Sequence, residues 1–174
     1  MTKPEIINLL KANHQTFIES FAHLSKQQFI SSINAKWSPG QQLDHIIKSV
    51  RPVVLAFGLP HVIPKMLFGK ANRSSRAYEV LVEKYQGKLA AGGKSPSQFV
   101  PGSVNFESRA NSIQKLNGLV TKLSRQIESK TDEQLDYYLL PHPLLGKLTY
   151  REMAMFTAYH AKHHQKAVIK NLMS

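Results

Sequence analysis

This chain predicts an all-α fold, a four-helix bundle with short extra helices, on three observations. Four long stretches carry apolar residues at spacings of three and four, the period of a helix that buries one face. No run alternates apolar and polar residues as a half-buried strand requires. Ser or Thr followed three residues later by Glu or Gln recurs where helices would begin, the reciprocal capping signal of an N-terminus.

Thr2-x-x-Glu5 is the first such signal, and Pro4 is tolerated in the opening turn, where its missing N–H is not needed. Ile6, Leu9, Leu10, Phe17, Phe21 and Leu24 continue as a stripe, so the first long helix is expected from about 3 to 23. His14 falls on the same side; it is either a core histidine or a further metal ligand. Ser25-x-x-Gln28, with Leu24 and Phe29 as a staple, starts a two-turn helix that ends before Asn34-Ala35.

Trp37 anchors the start of the second long helix, which Ser38 caps, with Pro39 at the first helical position and Gln41 closing the box. Leu43, Ile46, Ile47, Val50, Val53, Val54 and Phe57 form a broad apolar arc, and His45 borders that arc without bisecting it. Pro52 is expected to bend or loosen this helix, and Gly58-Leu59-Pro60 to end it.

A long crossover, residues 59–104, leads to the third long helix. Short helical pieces fit His61 to Phe68 and Ser75 to Lys84, while Gly87 to Gly102 holds four glycines and two prolines and reads as a connection that covers an opening or is mobile. Phe106, Ala110, Ile113, Leu116, Leu123 and Ile127 carry the third helix to about Ser129. Thr131-x-x-Gln134 caps a short piece, Leu140 to Leu148 is a proline-pinned turn, and Thr149-x-x-Glu152 opens the last helix, Thr149 to Leu172, with Leu148 and Met153 as staple. The two halves thus share a layout: short helix, proline-containing approach, long helix.

At 174 residues the chain is expected to form one domain, 1–174. It has no cysteine, which excludes disulfides, cysteine-based zinc sites and a cysteine nucleophile. Lys and Arg outnumber acids 23 to 11, for a net charge of +12. That excess is spread along the chain, with only Lys65, Lys70, Arg73 and Arg76 locally concentrated, so no specific nucleic-acid partner is expected. The longest near-apolar run, 52–66, is broken by Gly58, Pro60, His61, Pro64 and Lys65, and no leader pattern opens the chain; a cytoplasmic protein with no membrane partner is the expectation.

The last helix carries the chemistry. His160 and His164 are four apart, one turn above the other on the face shared with Met153, Phe156, Thr157, Ala167, Val168 and Asn171. Two inward imidazoles on one face can converge on one ion, and His45 is the best third candidate. His163 lies about 100° round from His164 and belongs at the edge or in solvent. Three histidines and an open position would suit Zn, Ni or Fe(II), and without a charged ligand the ion would keep its full charge to activate a water or thiol. The alternative is a pair of polar histidines in a wet bundle interior. Asp44 and Glu152 are better explained as first-turn residues than as a general base, while Tyr138, Tyr150, Tyr159 and His142 are conceivable donors on a pocket wall.

Trp37-Ser38-Pro39-Gly40-Gln41-x-x-x-His45, then His142-Pro143-x-x-Gly146-x-Leu148-Thr149, then Tyr159-His160-x-x-x-His164-Gln165 together resemble the DinB-like superfamily of four-helix metalloproteins, which includes the bacillithiol transferases. The resemblance spans nearly the whole chain apart from about 60–104. It implies an up-down-up-down bundle holding a divalent metal, Zn or Ni, on the histidines matching His45, His160 and His164. It also implies a small-molecule substrate, a low-molecular-weight thiol as co-substrate, transferase or hydrolase activity on an electrophile, and a homodimer. A non-catalytic metal- or small-ligand-binding bundle is the competing expectation.

Overall fold

The computed structural model describes residues 1–32 and 36–173. Four long helices carry the core: α1 (Lys3–Glu19), α3 (Pro39–Phe57), α6 (Arg109–Glu128) and α8 (Tyr150–Leu172). Short elements join them: α2 (Lys26–Ile30), α4 (Val62–Phe68), α5 (Tyr78–Ala90), α7 (Asp132–Tyr137), and a hairpin of β1 (Leu139–His142) and β2 (Gly146–Thr149). α1 packs on α8 and α6, and α3 packs on the same two, so α1 and α3 stand diagonally across an all-α bundle.

Local chemistry sets the helix starts. Thr2, Ser25, Ser38, Thr131 and Thr149 each accept from the amide three residues on, while Glu5, Gln28, Gln41, Gln134 and Glu152 accept from the cap's own amide. The apolar faces then close on one another. Ile6, Leu10 and Phe17 of α1, Leu43, Ile46 and Phe57 of α3, Leu116 and Leu123 of α6, and Tyr150 and Ala154 of α8 are all fully or almost fully buried. At roughly 1.5–3 kcal/mol for each large side chain, this burial and not helix propensity holds the bundle together.

Two expectations need correction, and one lies outside the described residues. α1 ends at Glu19, not near 23, because the chain turns there to bury Phe21 edge-on against Phe17 (ring centroids 4.9 Å apart) and Phe29 (6.2 Å). α3 runs on through Pro52, which is exposed, on a flank where water can take the carbonyl its ring leaves unbonded. The expected turn over 140–148 is a real antiparallel hairpin, pairing Leu139 with Thr149 and His142 with Gly146, with Gly146 at φ 76° in the turn. Strands of four residues are too short for alternation to register as a period. The end of the first short helix at Asn34-Ala35 falls on residues that are not described.

The crossover is fastened at both ends, which is what makes it part of the site. Gln41, His45 and Lys48, spaced four and three apart on one face of α3, bond the carbonyls of Gly102 (3.3 Å), Phe99 (2.7 Å) and Val100 (3.1 Å). Arg73 reaches the buried carboxylate of Glu152 on α8 through both its terminal nitrogens, at 2.6 and 2.8 Å. Among the described residues, no single helix is long and apolar enough to cross a membrane.

Candidate metal centre

His45 comes from the second turn of α3, and His160 and His164 from successive turns of α8, the two helices packing side by side. All three are buried, and one ring nitrogen from each lies within 4.8 Å of the others. The Nε2 atom of His160 is 3.3 Å from Nε2 of His45 and 3.0 Å from Nε2 of His164.

The outer nitrogens fix the tautomers. Nδ1 of His45 donates to the Phe99 carbonyl at 2.7 Å, and Nδ1 of His164 donates to the Oε1 of Gln42. Each of these neutral rings therefore turns a bare Nε2 lone pair inward. His160 can hold at most one proton on Nε2 to serve two contacts, so at least one of them sets lone pair against lone pair. Burial pushes the His160 and His164 pKa values well below the ordinary range, and each is lowered further by the other histidines around it. His45 is lowered too, chiefly by burial, with the Phe99 bond opposing. Protonation at neutral pH is thus no remedy for the excess of lone pairs.

A divalent cation is. Nitrogens held about 2.0–2.1 Å from a tetrahedral ion lie about 3.4 Å apart, close to the spacings here, and histidines that donate their outer N–H to a carbonyl are the usual metal-binding form. The donor set fits the group: three neutral imidazoles could coordinate a divalent ion and leave it a position open.

Aromatic rings hold the histidines in place. Trp37 stacks on His164 with centroids 6.3 Å apart and tilts over His45 at 4.8 Å, while Phe156 stacks on His160 at 5.1 Å. Tyr85 of α5 meets His160 and His163 edge-on. Its phenol keeps its proton, since burial pushes the pKa up to about 12. A cavity of about 840 Å³ opens onto the three histidines and is lined by α3, α5, α8, the hairpin and residues 95–99.

The other candidates separate cleanly. His163 is half-buried beside Tyr85 and outside the cluster, as its position on the helix implies. His14 is buried but does not join the group; its Nδ1 bonds the Leu10 carbonyl 2.8 Å away. His142 does line the cavity, and burial pushes its pKa down to about 4. Asp44 pairs with Lys48 at 2.8 Å and does not orient His45. Glu152 keeps its capping role and is also the anchor of the crossover. Sequence reasoning missed Gln42, Phe99 and Tyr85. Gln42, a polar residue one turn before His45, carried a signal; a backbone carbonyl and a crossover tyrosine carried none.

The family model described as the DinB superfamily matches residues 9–168 of this chain. No curated protein matches significantly. Among solved structures, a crystal structure of an uncharacterized protein from Clostridium difficile 630 superposes with a TM-score of 0.58 at 15% identity, covering 98% of this chain and 95% of that one. At that identity the likeness concerns the fold alone.

Proposed function

This chain belongs to the DinB superfamily, and on that premise we propose that it is a divalent-metal-dependent enzyme in which His45, His160 and His164 hold the ion. The metal serves to activate a thiol or water for transfer to, or hydrolysis of, a small electrophile. One observation carries this reading: three buried Nε2 atoms meet while carbonyl oxygens take the outer N–H of His45 and His164. A divalent ion with only neutral ligands lowers the pKa of a coordinated water or thiol toward neutrality.

The chain's own residues supply the rest. Gln42 and the Phe99 carbonyl orient two imidazoles, Trp37 and Phe156 fix the ring planes, and the apolar walls around Val53, Met153 and Phe156 keep bulk water from the reacting face. Zinc or nickel as the ion, a low-molecular-weight thiol as co-substrate, a cytoplasmic location and a homodimer complete the reading.

Elemental analysis of untagged protein tests it. About one equivalent of metal is expected in the wild type and none in His160→Ala; a wild-type metal content in that variant would sink the proposal. A thiol panel against a generic electrophile identifies the co-substrate, and sedimentation gives the oligomeric state. A second reading, a non-catalytic metal- or ligand-binding bundle, is favoured by one feature: among the described residues lining the cavity there is no Asp or Glu to act as a general base. Metal binding without turnover of any electrophile would support it.

A further inference from the structure

The cavity beside the three histidines differs from the rest of the chain in one respect. The chain has 23 basic and 11 acidic residues, yet none of the described residues lining the cavity is Asp, Glu, Lys or Arg. Leu55, Leu59 and Leu67 line it and are also among the exposed large apolar side chains, so the apolar surface continues to the mouth. Away from the three histidines, a charged group entering this space of about 840 Å³ would give up its hydration with no charged side chain on the wall to replace it. An apolar body of that size gains from the same transfer.

One polar group on the wall has a fixed direction. Nδ1 of His142 accepts the backbone N–H groups of Leu144, at 3.2 Å, and Leu145, at 3.1 Å, as the chain turns from β1 into β2. A ring nitrogen that accepts two N–H groups carries no proton of its own, so the proton of this imidazole is on Nε2. Nε2 has no hydrogen-bond partner among the described residues, and it is not one of the fully enclosed unpartnered atoms, which are His14 Nε2 and Gln126 Oε1. The ring lies against Phe156 with centroids 4.3 Å apart, on the cavity wall. Ser49, Ser95 and Tyr85 also face the cavity, but their hydroxyls can rotate; the donor of His142 is aimed by its own bonds.

We propose that the cavity takes an uncharged, mainly apolar molecule carrying one accepting oxygen, of the ketone, ester or amide kind, and that this oxygen accepts from Nε2–H of His142. The inference rests on the functional reading above, in that it places the substrate beside the three histidines. It makes His142 a substrate-positioning donor, and it makes the uncharged wall away from the three histidines the reason the body of the molecule is apolar.

Trp37 is the only tryptophan and lines the same cavity, so its emission reports occupancy. Metal-free wild-type protein is titrated with 2-octanone, 1-octene and octanoate. The ketone is expected to saturate the emission change, with octanoate at least about tenfold weaker and the alkene about three- to tenfold weaker, the worth of one hydrogen bond. In His142→Asn, the Oδ1 can still accept from Leu144 and Leu145, but nothing reaches the place of Nε2. That variant is expected to bind the ketone about three- to tenfold more weakly and the alkene unchanged. Octanoate binding as tightly as the ketone, no saturable response to the ketone, or an unchanged ketone-to-alkene ratio in the variant would each overturn the proposal. Should the variant not fold, equal binding of ketone and alkene by the wild type would do the same. Because the titration uses metal-free protein, its failure is separate from a failure to bind metal.

Discussion

Two turns of α8 separate two buried polar clusters that have opposite character. At Glu152 the carboxylate receives both terminal nitrogens of Arg73, the backbone N–H of Arg76 at 2.8 Å and that of Thr149 at 3.0 Å, so donors and acceptors are matched. At His160 and His164 the inward nitrogens meet one another, and there are more lone pairs than protons to share. Glu152, His160 and His164 are buried residues of the same helix. The matched one is architecture, because it needs nothing more; the unmatched one is able to hold a metal ion.

The sharpest way to break that contrast is to remove the charge from the matched cluster. Burial alone would raise the Glu152 pKa, but the bonds from Arg73, Arg76 and Thr149 outweigh it and hold the carboxyl below its usual value. Glu152→Gln keeps the capping box and deletes the ion pairs. The expected loss is about 2–3 kcal/mol at pH 7, at or below the low end for a broken buried pair, because Arg73 and Arg76 retain 32% and 27% exposure. Since the folded carboxylate has the lower pKa, its contribution is fully present above the ordinary carboxylate range and is lost as pH falls through the folded value. Denaturation curves of variant and wild type should therefore converge as pH falls below the folded value of this carboxylate, while metal stoichiometry at pH 7 stays the same. Loss of metal with unchanged stability would reverse the roles assigned to the two clusters.

The complementary change lies in the unmatched cluster. Gln42→Leu takes the acceptor from Nδ1 of His164 and frees that ring to turn, so metal affinity measured against a competing chelator should fall about 10–100-fold. Gln42→Glu, which restores an acceptor oxygen, should recover most of it. An unaltered affinity in the leucine variant would show that His164 is held by its ring packing on Trp37 alone.

How far each cluster could be read from sequence follows from how local it is. The capping pairs Thr2 with Glu5, Ser38 with Gln41 and Thr149 with Glu152 lie only three positions apart within one turn, and all formed as read. His160 and His164 share a face by spacing alone. His45 was harder: it borders the apolar arc of α3, and only the packing of α8 against that edge turns it inward. The partners that orient the imidazoles depend on contacts between distant segments, 54 residues for Phe99 with His45 and 122 for Gln42 with His164, and no period records those. The hairpin was missed for the opposite reason, its strands being too short to show a period at all.

His14 supplies the smallest and most direct test of the comparison, because it has the same tautomer without the company. Its Nδ1 donates to the Leu10 carbonyl, as His45 and His164 donate to theirs, and its Nε2 is buried with no partner. A single orphaned lone pair in apolar surroundings is a cost that no ion can relieve with one ligand. His14→Leu should therefore stabilise the protein at pH 7 by about 1 kcal/mol, the lower end of the penalty for a buried unsatisfied acceptor. Burial, opposed by the Leu10 bond, pushes the His14 pKa down to about 4 from the ordinary 6.5. Below 6.5 the unfolded chain takes up a proton that the folded one refuses, so this histidine drains stability as pH falls from 6.5 toward 4, and the leucine variant is spared. The stability gap between variant and wild type should widen across that interval and level off below it. A gap that stays constant with pH would mean that Nε2 of His14 takes up a proton as readily in the folded protein as in the unfolded one, and so is not the shut-off lone pair that its surroundings imply.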